Sequence, residues 1–158
     1  MDAQTTQLIN AARTGDLTTI QSLINQGVDV NLQDEKGYTP LIIASYNRRL
    51  DAVKLLLKNG AAINAADFGG NTALMGVCFK GYPEIAECLI QNGANLNLQH
   101  ANGGTSLMFA AMFGRNDMIR LMLQHQADPS ITEFRGLTAL DIAIQQGNKE
   151  GAELLSSI

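Results

Sequence analysis

The chain has 158 residues, 46% of them apolar, with a net charge of −4 and a pI near 5.0. That is length enough for one packed domain, while no Lys/Arg run could track a phosphate backbone and no apolar stretch approaches the roughly 20 residues that cross a bilayer, so neither nucleic acid nor membrane is expected as a partner. Two cysteines make no disulfide scaffold.

The opening stretch, MDAQTTQLIN, lacks the basic end and long apolar segment of a secretory signal. A cytoplasmic location is therefore expected. A mature exported form, with its leader removed and a Met added, would read the same, and that alternative stays open.

From Thr6 and Leu8 onward the chain repeats itself at a step of 33 residues. Thr39, Thr72, Thr105 and Thr138 continue the first column, and Leu41, Leu74, Leu107 and Leu140 the second. Gly27, Gly60 and Gly93 keep the same step. Five repeats result, at about 1–33, 34–66, 67–99, 100–132 and 133–158, with no linker between them, and a single domain over 1–158 is expected.

Each repeat reads as two short helices and a turn. In the second repeat, Thr39 suits an N-cap and Pro40 the first helical position, where a missing N–H costs nothing. The first helix should end near Asn47 and the second run from about Leu50 to Lys58 or Asn59, closed by Gly60 in the left-handed conformation. Asp51, Glu84, Asp117 and Glu150 recur where the second helix starts and complement the positive end of its dipole. Small residues at Ala44, Val77, Ala110 and Ala143 allow close approach to a second helix lined by Leu23, Leu56, Leu89, Met122 and Leu155. Such short helices are unstable alone. The repeats must bury their apolar faces on one another, which predicts an all-α repeat solenoid.

The strings DEKGYTPLIIA and VKLLLKNGAAIN resemble the ankyrin repeat, whose length of 33 residues and T-P-L-H-x-A pattern they match along essentially the whole chain. The resemblance implies stacked helix-turn-helix units with projecting β-turns, capped by the first and last repeats, and a concave side made of the turns and first helices. It also implies a standalone, monomeric interaction protein, an adaptor or regulator, rather than an enzyme. The chain departs from the pattern in places. Ile42, Met75, Met108 and Asp141 stand where the family has His, so apolar contact is expected to replace that residue's bonds. Gln126 stands where Gly is expected, and Gln7, Asn10, Arg13, Lys149, Glu150 and Glu153 make the end repeats polar.

Nothing in the chain points to catalysis: there is no nucleophile elbow, phosphate-binding loop or dinucleotide fingerprint. No cofactor and no metal are expected. His100 and His125 are too few for a metal site and read as exposed polar residues. Cys78 and Cys88 stand in core columns, where thiols are inert.

The aromatics are three Tyr and five Phe, without Trp. Phe109 falls in the expected core and Tyr82 between helices. Tyr38, Tyr46, Phe68, Phe79, Phe113 and Phe134 all fall on turns or at first-helix ends, and Met112 precedes Phe113. A core of Leu, Ile and Ala does not need them there. Aromatics and Met are enriched at interfaces and hot spots. The expected function is thus recognition of a protein partner through these residues, with Arg13, Lys36, Lys80 and Arg135 as a basic fringe. An exported accessory factor supporting another protein's stability or activity, or a ligand-binding or enzymatic role, are the alternatives.

Overall fold

A computed structural model describes residues 1–158. It contains ten helices and no strand, with one isolated bridge between Ala66 and Thr72. The helices are α1 (Ala3–Thr14), α2 (Leu17–Asn25), α3 (Pro40–Tyr46), α4 (Leu50–Lys58), α5 (Ala73–Lys80), α6 (Pro83–Gln91), α7 (Ser106–Met112), α8 (Asn116–Gln124), α9 (Ala139–Gln145) and α10 (Lys149–Ser156). Odd-numbered helices are the first of each repeat, even-numbered ones the second. The chain divides into two compact bodies, Met1–Ala73 and Leu74–Ile158.

In the N-terminal body, α1 packs beside α3 and α2 beside α4, while each pair closes as a hairpin. In the C-terminal body, α7 lies beside α9, and α8 between α6 and α10. Each core is the apolar stripe of both helix layers. Leu8, Ile20, Leu41 and Leu56 are fully buried in the first, and Leu74, Met75, Leu89, Leu107, Ile119 and Met122 in the second. Burial of such side chains contributes about 1.5–3 kcal/mol each. The small column is sealed, with Ala44, Val77, Ala110 and Ala143 at 0% exposure, so any larger side chain there would push the layers apart.

The expected caps are present in the second, fourth and fifth repeats. Thr39 Oγ1 accepts from the Ile42 amide at 3.2 Å, Thr105 Oγ1 from Met108 at 3.3 Å, and Thr138 Oγ1 from Asp141 at 3.3 Å. The first repeat departs from the column: α1 starts at Ala3, capped by Asp2, whose Oδ1 accepts from the Thr5 amide at 2.8 Å. Thr6 is therefore inside the helix rather than at its cap. Both end repeats form both of their helices. Gly27, Gly60 and Gly93 take φ of 85, 88 and 90°, and Gln126 is held at 64°, as its column demands.

Of the residues replacing the family's His, Ile42, Met75 and Met108 are buried. Asp141 behaves otherwise. Its Oδ2 accepts from the Thr138 amide and hydroxyl, both at 2.9 Å, completing a capping box, so a polar bond replaces the expected apolar contact there. Burial pushes the Cys78 thiol up to about 12, against a small opposing bond from Ser106. Cys88 is only half-buried, because its column faces the edge of the second-helix layer rather than the core.

Candidate functional site

The turns that precede the first helices share one device. At each opening, a side-chain acceptor ties down the backbone that follows. Asp34 Oδ1 accepts from the amides of Lys36 and Tyr38, both at 2.9 Å, and Asp67 Oδ1 from Gly69 and Asn71 at 2.8 and 2.9 Å. Glu133 Oε1 does the same for Arg135 and Leu137, at 2.8 and 3.2 Å. Partial burial raises the Glu133 carboxyl, but the Arg135 side chain and these amides outweigh it and hold the group below its ordinary value. His100 occupies the same column. Its Nδ1 accepts from the Gly104 amide at 2.9 Å, and its ring meets Phe109 edge-on at 5.2 Å. It is a half-buried turn-former, not the exposed residue expected. His125 is exposed, 3.2 Å from Glu87.

Neighbouring turns are stitched by glutamines. Gln33 Nε2 donates to the carbonyls of Gly37 and Ala66 at 2.9 and 3.1 Å, and Gln99 Nε2 to those of Gly103 and Thr132 at 2.8 and 3.1 Å. The Phe68 amide donates to Lys36 O, and the Phe134 amide to Asn102 O, both at 3.1 Å. The backbone beneath these two aromatics is therefore fixed.

The predicted residues fall as follows. Phe68 and Phe134 are 73% and 77% exposed, and Tyr46 and Phe113 are each 42% exposed. Tyr38, Phe79, Lys80 and Met112 are half-buried; Arg13, Lys36 and Arg135 are exposed. In the N-terminal body the Phe68 ring lies on Gly37: a Cβ there would come within 2.7 Å of Phe68 Cδ1. Arg13 turns back along its own helix, with Nη1 donating to Asn10 at 2.8 Å. In the C-terminal body Phe79 and Phe113 meet edge-to-face at 4.6 Å. Met112, Phe134 and Arg135 gather around a cleft of about 200 Å³, which Met108, Phe109 and Ile142 also line. Phe109 is thus a half-buried wall of this cleft rather than a core residue.

Two arginines escaped the reading of the sequence. Arg49 and Arg115 hold the N-cap places of α4 and α8 without a side-chain cap bond. Each reaches back instead: Arg49 Nε donates to Arg13 O, and Arg115 Nε to Phe79 O, both at 3.0 Å. They satisfy carbonyls near the C-terminal ends of α1 and α5. Gly15 and Gly81 lie under them, where a Cβ would stand 3.1 and 2.9 Å from the Cδ of Arg49 and Arg115. The signal available was the spacing of the two arginines, two repeats apart.

No helix is long and apolar enough to cross a membrane, and no group of three or more His, Cys, Asp or Glu gathers as a metal would require.

These features define an all-α repeat solenoid with helix-turn-helix units and stitched β-turns. The family model for ankyrin repeats (3 copies) matches residues 8–100 and 74–157. The chain belongs to the ankyrin-repeat family, whose members are generally protein–protein interaction modules. No curated protein sequence matches it significantly.

Proposed function

We propose that this chain is a non-enzymatic module that recognises a protein partner through the aromatic residues of its turns and first-helix ends. The supporting observation is the exposure of Phe68 and Phe134, at 73% and 77%, on backbone locked by the turn bonds described above. Rings of that size left in water add little to folding. They are the groups most often found as binding hot spots. Tyr46 and Phe113, each 42% exposed at a first-helix end, add a further exposed ring to each body. Because the turns are already ordered, little conformational entropy is lost when a partner docks. Lys36 and Arg135 flank the rings and favour a partner with acidic residues nearby.

The test replaces Phe68, Phe113 and Phe134 together with Ala. The thermal midpoint should stay within a few degrees of wild type. Recovery of the natural partner from native extract, quantified by mass spectrometry, should fall more than about 10-fold, since truncated aromatic hot spots typically cost about 2 kcal/mol or more. Unchanged recovery with an unchanged midpoint would move the interaction to another face.

A further inference from the structure

The cleft in the C-terminal body separates two layers of side chains. Its floor is apolar: Met108 and Ile142 are buried, and Phe109 and Met112 half-buried. Its rim is polar, with His100 on one turn and Arg135 on the next, and the exposed ring of Phe134 stands at the mouth. An apolar hollow costs dispersion contacts for every atom that lines it. Two of the lining residues are methionines, whose unbranched, polarizable side chains adapt to the shape of an inserted group.

Size decides what fits. Pockets for whole ligands occupy about 300–1,000 Å³. This one, at about 200 Å³, is nearer to the demand of a single large side chain. The rim decides what accompanies it. Arg135 Nε donates to Glu133 Oε2 at 2.9 Å, which fixes the guanidinium plane, and its two terminal nitrogens make no bond within the chain. Glu133 is only 9% exposed, and both of its oxygens are engaged, so the charge that faces outward is the cation. His100 accepts through Nδ1, which leaves Nε2 carrying the proton as a second donor. A rim of donors around an apolar floor matches an apolar group with a carboxylate beside it.

We infer that this cleft is an anchor pocket for one Leu- or Met-sized side chain of an extended partner segment, whose neighbouring Asp or Glu pairs with Arg135. The inference rests on the interaction reading above and narrows it to one class of peptide.

The probe is a phage library of random 12-residue peptides, selected on the full chain. The enriched sequences should pair an apolar residue with an adjacent acidic one. A synthetic peptide of that consensus should shift the methyl resonances of Met108 and Met112 while leaving Met118 and Met122 still. Replacing its apolar anchor with Ala should weaken binding about 10-fold or more. Arg135→Glu should invert the preference between the acidic peptide and its Lys counterpart, and Met112→Trp, which fills the apolar floor, should abolish binding. Amide spectra of both variants check that the fold is kept. No enrichment, a consensus without the apolar–acidic pair, or shifts confined to other methyls would overturn the inference. If Met112→Trp leaves recovery of the natural partner intact while the triple Phe variant loses it, the pocket is refuted and the wider aromatic surface stands. The reverse result supports the pocket and refutes the wider surface.

Discussion

The turns around Phe68 and those around Phe134 are built on one backbone plan, yet they end in different surfaces. Gln33 and Gln99 make the same pair of stitches, and both Phe amides donate to the preceding turn at 3.1 Å. In the N-terminal body the ring then settles on Gly37. In the C-terminal body, with His100 in place of Asp34 and Phe109 beneath it, the ring stands beside an open cleft. Repeat symmetry dictates the hydrogen bonds. A few side chains between them decide whether a turn is filled or hollow.

The largest effect that would break this comparison is at Gly37. Its φ is 82°, and a Cβ would meet the Phe68 amide and ring at 2.7 Å. Gly37→Ala should cost about 2–4 kcal/mol, combining left-handed strain with overlap. Gly136, at φ 83°, has nothing within 4 Å, so Gly136→Ala should cost only about 1 kcal/mol. Chemical denaturation measures both, and equal losses would mean that Phe68 is not seated on Gly37.

Where the two regions share a plan they should respond alike. Thr39→Val and Thr105→Val each remove one cap bond and should each cost about 1 kcal/mol. A clear inequality between their unfolding midpoints would show that the scaffolds differ beneath the turns. A smaller effect separates the second-helix ends. Gly60 tolerates its φ of 88°, whereas Gln126 is strained at 64°, so Gln126→Gly should stabilise by up to about 1 kcal/mol in a thermal melt.

The smallest effect is one that acid removes. Glu133 titrates below its ordinary 4.5 in the folded chain, so its contribution is fully present above that value. It is lost as pH falls through the lowered folded-state value. The stability difference between wild type and Glu133→Gln should therefore shrink as the pH is taken down from 7 toward 3. A constant difference would mean that the carboxylate charge is irrelevant to its turn.

The architecture was legible because it rests on columns: Thr caps, small first-helix residues and leucines recur at a fixed step, and each has one physical job. What was hidden depends on competition between neighbours. Asp2 takes over the cap of α1 because its carboxylate reaches both the amide and the hydroxyl of Thr5, so the Thr6 register misleads. The role of His100 becomes visible only when it is set in one column with Asp34, Asp67 and Glu133 as an acceptor. Asp141 carried a Thr-x-x-Asp signal that the family pattern obscured. The candidate site was legible as a set of aromatic positions. Its cleft was not, since a hollow is made by the shapes of Met108, Phe109, Met112 and Ile142 together, and no single residue announces it.

The reach of Arg49 and Arg115 also bears on how the chain comes to be folded. Each donates across 36 residues, little more than one repeat. Loops of that size are cheap to close, and their cost grows only slowly with length. Such contacts keep the mean sequence separation low, the condition under which domains reach their native state rapidly. An arginine of this kind can find its carbonyl as soon as two adjoining repeats have formed, without waiting for the rest. Folding can therefore begin at any sufficiently strong pair and spread outward. The order of events along the chain is set by which neighbours grip first, and a fault in one pair delays only what must grow through it.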